Sequence, residues 1–398
     1  MKSLKKILIM ALLVTIVTTS VSAYTVFKPV GYNPGNYNVC SFGAVANDGK
    51  DDTAAFVAMG SKSKAIYIPA GEFEVSETIE LLDSSLIGCG AEKSVIICKN
   101  ESDRDPIVEA GGRCVIRDLT LRYDDSCIKG NELAGERVAI YTGQMEKTLK
   151  RGTSITNVKI ENVGTGVYSP MGEIDKFKMG AVSFSVTYES ISVTDFTYRG
   201  FDMAEETRTG NIYRNIYIST NGKEANAGFY LQERETECEI TDLTIANSKL
   251  KSPVKFEICE ALSATNINII NTELTKDNTG FIYFDMTNAI IGSVNIYDSV
   301  PKGKLQSFIR LGDNMYRGYE YDCMGSVHIG DFNIVCTNND LKPEPEQYLI
   351  ARKSGYVNPF NITIDRYNIV APDELKAQYE KFATNEREIN LVVKQKAR

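Results

Sequence analysis

One six-residue phrase recurs along this chain and limits its possible folds more than any other feature: apolar, any, often Asp or Asn, apolar, any, apolar. It reads as Ile116-Arg-Asp-Leu-Thr-Leu121, Ile155-Thr-Asn-Val-Lys-Ile160, Val193-Thr-Asp-Phe-Thr-Tyr198, Tyr213-Arg-Asn-Ile-Tyr-Ile218 and Ile240-Thr-Asp-Leu-Thr-Ile245. It continues as Ala264-Thr-Asn-Ile-Asn-Ile269, Ile291-Gly-Ser-Val-Asn-Ile296, Ile329-Gly-Asp-Phe-Asn-Ile334 and Ile364-Asp-Arg-Tyr-Asn-Ile369. The starts lie 39, 38, 20, 27, 24, 27, 38 and 35 residues apart. A period of about 20 to 30 residues, stretched by insertions, is that of a solenoid. Inside each phrase the apolar residues alternate, which is strand periodicity. The Asp or Asn suits a bend, where its side chain bonds nearby backbone. A polar ladder facing inward is the other arrangement open to it.

About ten residues after most phrases comes a second apolar run, at residues 181–186, 200–204, 228–232, 253–257, 280–284 and 307–311. Two or three short strands per coil, each coil stacked on the last, describe an all-β, single-stranded parallel β-helix of about nine coils. Its open ends need covers. Residues 51–59 read as a short helix capped by Asp or Thr, and residues 372–382 as a closing helix. No linker is long or polar enough to divide the chain. The reading is a single domain over 24–398, with coils over 115–370 and a C-terminal cap over 371–398.

Ahead of this, Lys2, Lys5 and Lys6 precede an apolar run from Ile7 through Val21, and Val21-Ser22-Ala23 offers small residues for cleavage. Residues 1–23 therefore read as a secretory signal peptide, and the mature chain as an exported protein, extracellular or periplasmic, without a stable membrane span. Removing three lysines and no acid takes the formal charge from −8 to −11, 52 acids against 41 bases. That surface repels phosphate backbones and argues against nucleic acid as a partner.

Nine cysteines contain no Cys-x-x-Cys, so they read as small buried hydrophobes with one or two bridges, Cys89 with Cys98 being one plausible pair. No metal cluster is expected from their spacing. The single histidine, His328, rules out a two-imidazole mechanism and reads as a structural strand position.

The stretch Ser41-Phe-Gly-Ala-Val-Ala-Asn-Asp-Gly-Lys-Asp-Asp-Thr-Ala-Ala-Phe56, followed by Ala65-Ile-Tyr-Ile-Pro-Ala-Gly-Glu-Phe-Glu-Val75 and Leu86-Ile-Gly-Cys-Gly90, resembles the opening of pectate-lyase-superfamily proteins. It is most similar to the rhamnogalacturonase/epimerase-type pectate lyase domain. The direct likeness covers about residues 39–97. What it implies is a right-handed parallel β-helix acting on a polysaccharide. In such an opening Gly43, Gly49, Gly71, Gly88 and Gly90 fit tight turns, and Asp51, Asp52 and Thr53 fit a helix cap. The catalytic signature of polygalacturonases is absent: the chain has no Gly-His-Gly, no Arg-x-Lys and no Asn-Thr-Asp. The Arg-rich motif of calcium-dependent pectate lyases is also missing.

Chemistry on a glycosidic bond needs either two carboxyl groups for hydrolysis, or a base with a cation that neutralises a uronate for elimination. In the second strands, alternation turns Asp202, Tyr230 and Lys255 outward on consecutive coils, with Ala204, Gln232 and Glu257 as the next column. The following turns add Glu205, Glu206, Arg208, Glu233, Arg234 and Glu235. For hydrolysis the candidates are Asp202 with Glu205 or Glu233, and Glu257 as a third. For elimination Lys255, Tyr230 or Arg234 is the base, and the acids hold Ca²⁺; hydrolysis itself requires no cofactor. Tyr230, Gln232, Arg208 and Arg234 are the substrate-binding candidates. A solvated charge ladder, or a non-catalytic adhesion module, gives the same pattern. Tyr168 is placed in an insertion over 161–180 that forms a cleft wall, Asp124 and Asp125 in a turn, and Lys249 and Lys251 at solvent-exposed positions.

Overall fold

The protein is represented by a computed structural model that describes residues 38–142, 150–169, 182–204, 207–312, 315–316, 319–320, 325–337, 347–352, 360–379 and 389–396. Residues 1–23, expected as a signal peptide, and Cys323 lie outside the described residues. Asn38–Arg398 form one compact unit.

The chain winds as a single-stranded, right-handed parallel β-helix with a short helix at each end. One sheet is built by the recurring phrase. Its inward rung passes through Ile66, Leu86, Ile116, Ile155, Tyr188, Tyr213, Ile240, Ala264, Ile291, Ile329, Ile364 and Val393, each the parallel partner of the next. The coils thus begin before residue 115 and continue past 370.

One phrase is displaced from its expected place. The rung on its coil is taken by Tyr188-Glu-Ser-Ile-Ser-Val193, within the strand Thr187–Thr194, and Val193 ends that phrase rather than beginning one. Ser190 stands where other coils carry Asp or Asn, so the acidic mark at Asp195 belongs to the following bend (φ 54°).

The recurrent polar residue is the bend. Asp118, Asn157, Ser190, Asn215 and Asp242 all have φ between 51° and 60°, a left-handed conformation in which short polar side chains are favoured. Their side chains face outward and bond from coil to coil: Asn157 Nδ2 donates to Asp118 Oδ1 at 2.7 Å and Asn215 Nδ2 to Ser190 Oγ at 3.2 Å. An inward polar ladder is therefore not what the phrase encodes. In later coils the same position pairs straight through, Asn266 with Ser293 and Ser293 with Asp331.

A second sheet stacks Ile79, Val108, Ile140, Val167, Phe201, Phe229, Val254, Ile282, Ile309 and Ile350. Thr165–Ser169 is one of its strands, so Tyr168 sits on the sheet and not in an insertion loop. The run expected as a second strand at 181–186 belongs to a third, shorter sheet, in which Val182–Phe184 pairs with Lys150–Arg151 and Thr207–Thr209. Between the sheets runs an axial core with rings stacked one coil apart: Tyr188 on Tyr213 at 4.9 Å, Phe201 on Phe229 at 5.4 Å and Phe256 on Phe284 at 5.7 Å. The second strands turn into this core at Gly200, where a Cβ would lie 2.6 Å from the Gly228 carbonyl and 2.9 Å from Ile218 Cγ2. Later coils place Phe281 and Phe308 in the core instead.

Helix α1, Thr53–Lys62, covers the N-terminal end. Asp51 accepts from the Thr53 amide at 2.9 Å and from Ser76 Oγ at 2.7 Å, and Asp52 accepts from the Val45 amide at 2.9 Å, so this acid pair is architectural. Helix α2, Asp373–Tyr379, tucks Leu375 into the core at the other end; the last residues of the expected helix lie outside the described residues. Cys40, Cys89, Cys98 and Cys127 carry free thiols. The Cys89–Cys98 bridge is not formed, because Cys98 points into the core, where burial pushes its thiol up to about 11, while Cys89 stays in an exposed turn beside Ser94 Oγ.

Candidate functional site

The outward positions of the second sheet form one continuous column. Register places Glu80, Glu109, Tyr141, Tyr168, Asp202, Tyr230, Lys255, Tyr283 and Arg310 side by side on successive coils, about 4.8 Å apart. Gln232, Glu257 and Asp285 make the neighbouring column. Asp202, Tyr230, Lys255, Gln232 and Glu257 thus come together as the alternation predicts.

Their surroundings are not those of a solvated ladder. Asp202 is 2% exposed and Tyr230 5%. Arg199, a residue the alternation did not single out, donates from Nη1 to Asp202 Oδ1 at 2.6 Å. Its guanidinium carbon lies 4.1 Å over the Tyr230 ring and 4.9 Å over the Tyr198 ring. From the next coil Lys255 Nζ stands 4.8 Å over the Tyr230 ring, 5.0 Å over the Tyr283 ring and 2.5 Å from Glu257 Oε1. Rings and cations therefore alternate along the column, each covering the next, which is how polar groups on a sheet face become buried.

The Tyr230 hydroxyl lies 2.5 Å from Glu257 Oε2 and 2.6 Å from Gln232 Oε1. One phenolic proton serves one acceptor, and the carboxylate is the stronger. A half-turn of the Gln232 amide then supplies the phenol oxygen with an N–H. Burial first, and the Glu257 carboxylate next, hold the Tyr230 phenol far above its ordinary range, so it stays protonated. Burial and then Asp202 raise Tyr168 in the same sense.

This changes the chemistry available. The hydrogen bond from the Arg199 guanidinium favours the ionised form of Asp202, which suits that carboxylate to act as a base or nucleophile, and Glu257 faces Lys255 Nζ at 2.5 Å. Tyr230, protonated and engaged, is not a free base for elimination, and Lys255 is held by Glu257 Oε1. Ca²⁺ takes about six to eight oxygens. Among the described residues no three His, Cys, Asp or Glu side chains converge, and Asp202 and Glu257 each already face a cation, so the described residues do not fit that ion. Glu205 and Glu206 lie outside the described residues, and of Arg208, Glu233, Arg234 and Glu235 only the backbone is described, in the strands Thr207–Thr209 and Glu224–Thr236.

The column is bordered by the loop between Asp124 and Arg137. Asp124 caps its 3-10 turn Asp125–Cys127, as expected of a turn. Glu132, 5% exposed, ties the loop down by accepting from the Gly130 amide at 3.1 Å and from Thr197 Oγ1. Gly135 rests against the Tyr168 ring, where a Cβ would lie 3.0 Å from Cε1, and Tyr141 meets Tyr168 edge-on at 6.0 Å. His328 lies on the first sheet, with Nε2 2.9 Å from Asp365 Oδ2, away from this column.

No protein-family model matches the chain, and no curated protein matches it in sequence. Solved structures do resemble it. A catalytic domain of GH87 α-1,3-glucanase in complex with tetrasaccharides superposes with a TM-score of 0.55 at 15% identity, over 92% of this chain and 69% of that one. The catalytic unit of thermostable GH87 α-1,3-glucanase from Streptomyces thermodiastaticus gives 0.52 at 14% identity, over 92% and 70%. The A-module of a mannuronan C-5 epimerase from Azotobacter vinelandii gives 0.51 at 15% identity, over 87% and 97%. At these identities the likeness is one of fold.

Proposed function

We propose that this chain is an exported polysaccharide-active β-helix that hydrolyses glycosidic bonds on the column from Tyr141 to Arg310. The observation that carries this reading is Asp202: a carboxylate only 2% exposed, fixed by Arg199 at 2.6 Å, on a sheet face lined with tyrosines. Held ionised, it serves as base or nucleophile. The proton donor is assigned to Glu205 or Glu233 in the adjoining turns, with Glu257 completing the acid set. Tyr141 and Tyr168 offer ring surface against which a sugar packs, and Gln232, Arg208 and Arg234 are assigned to hold hydroxyls. The polysaccharide activities named for the two kinds of structural neighbour, α-1,3-glucan and mannuronan, supply the first substrates to try.

The test is to incubate the mature protein with α-1,3-glucan, mannuronan and a wider panel while following reducing ends and the ultraviolet absorbance of unsaturated uronate ends. Hydrolysis releases reducing ends without that absorbance. Asp202→Asn should remove turnover while leaving a cooperative thermal transition. Absorbance growth would move the assignment to a lyase, and binding without turnover to an adhesion module.

A further inference from the structure

The outer face of the first sheet changes character along its length, and two neighbouring outward columns show the change. On the early coils the first column carries Lys159 and the second Arg122 and Glu161. Four later coils carry Asn268, Asn295, Asn333 and Asn368 in the first and Ile270, Tyr297, Val335 and Val370 in the second. No position of either column after Lys159 and Glu161, as far as Asn368 and Val370, is charged. An amide ladder beside an apolar stripe has taken the place of the charges.

The ladder satisfies itself. Asn295 Nδ2 donates to Asn268 Oδ1 at 3.0 Å and to Ser293 Oγ at 3.2 Å, and Asn333 Nδ2 donates to Asn295 Oδ1 at 2.9 Å. Polar groups already paired within a sheet can be covered with little penalty, and they leave few donors for a hydroxyl-rich chain to grip. Beside them Val370 is 52% exposed, and Ile270, Tyr297 and Val335 are only partly buried. One exposed apolar side chain is ordinary, but a row of four, about 4.8 Å apart, is a patch of the kind that meets protein. At its rim Asp331 and Arg366 neutralise each other through two bonds of 2.6 and 2.7 Å.

Charge and spacing together select the partner. The chain carries a formal charge of −8, so two copies repel each other over most orientations and least where such an uncharged face meets its like. Stacked Asn and branched apolar side chains in register interdigitate with a second sheet of the same repeat, as paired sheets do when identical side chains stack, and another copy of this chain carries that repeat over the same four coils. We propose that two copies pair through this face about a two-fold axis, the stripe of one running against the stripe of the other in the opposite sense. The four coils offer about 400 Å² a side, about half of the roughly 800 Å² of a standard stable interface, so the dimer is weak and depends on concentration. This pairing is independent of any chemistry on the column from Tyr141 to Arg310.

Sedimentation equilibrium of the full mature protein, from about 5 µM to about 0.5 mM, tests it. The mean mass should climb from one chain toward two across that range, and added salt should strengthen or leave unchanged an association that no ion pair supports. Val370→Lys, at an exposed position, should raise the dissociation constant about tenfold or more by burying an unpaired charge, and Tyr297→Ser should weaken pairing without adding one. Thr156→Lys, outward on the same sheet but among the early coils, should leave it unchanged. Thermal melts confirm that each variant folds, and the two stripe variants give independent readings. A wild type that stays monomeric throughout, a dimer that salt dissolves, or a dimer undiminished in both Val370→Lys and Tyr297→Ser would each overturn the proposal. A monomer that co-sediments with insoluble α-1,3-glucan and loses that property in Val370→Lys would overturn it too, giving the face to a polysaccharide.

Discussion

The two long sheets of this helix share one core and one coil spacing, yet their outer faces differ. On the first sheet polar side chains stack in water: Asn157 bonds to Asp118, and Arg366 embraces Asp331 through Nε and Nη2 at 2.6 and 2.7 Å with its side chain 61% exposed. On the second sheet Arg199, Asp202, Tyr230, Lys255 and Glu257 also pair from coil to coil, but tyrosine rings alternate with the cations, and Asp202 and Tyr230 are buried. The same ion pair therefore has different weight on the two faces. In water it is screened and adds little; under rings it must stay complete, because either partner alone is a charge left in low dielectric.

That contrast can be broken experimentally, beginning where the effect is largest. Asp202→Ala strands the Arg199 guanidinium beneath Tyr230 and should cost about 3 kcal/mol in urea unfolding, while the double change to Met at 199 and Leu at 202 restores most of it. Equal stabilities for single and double variants would show that the second face is as wet as the first. Tyr230→Phe keeps the ring between its two cations and removes only the hydroxyl from Glu257 and Gln232; a loss of about 1–2 kcal/mol is expected in the same assay.

A pH measurement separates the loop beside the column from both sheets. Burial acts to raise the Glu132 carboxyl, but the hydrogen bonds from Thr197, Lys129 and Gly130 outweigh it and hold the group below its ordinary 4.5. A carboxyl lowered on folding contributes stability that is complete above its unfolded value and is lost as pH falls through the folded one. Glu132→Gln should therefore flatten the acid limb of a pH–stability profile below about pH 4.5 and leave the neutral region's pH dependence unchanged. The smallest effect belongs to the first face: Arg366→Ala should shift stability by no more than about 1 kcal/mol, and less at high salt. A larger loss there would erase the distinction between the faces.

Much of this architecture is legible in the order of residues. The period-two phrase marks the first sheet, and the runs at 200–204, 228–232 and 253–257 mark the second with Asp202, Tyr230 and Lys255 facing outward, because alternation is a local property of a pleated strand. The run at 280–284 and the one at 307–311 carry Tyr283 and Arg310 in the same register, so the column could have been extended from the same signal. Where local signals fail, they do so for local reasons. Ser190 replaces the usual Asp or Asn, and the phrase is read one bend too late. Tyr168 is assigned to an insertion because its strand, Thr165–Ser169, is short, holds Thr165, Gly166 and Ser169, and carries a single aliphatic residue, Val167.

The sequence by itself determined a stacked coil with capped ends, since each coil carries a repeated apolar pattern that only another coil can bury. It determined which residues of the second strands face out. Only the tertiary structure decided what those residues are. Burial of Asp202 and the two cations on the Tyr230 ring depend on which side chains from coils 25 to 34 residues away arrive beside them. That juxtaposition is set by the length of every intervening turn, and no single strand encodes it.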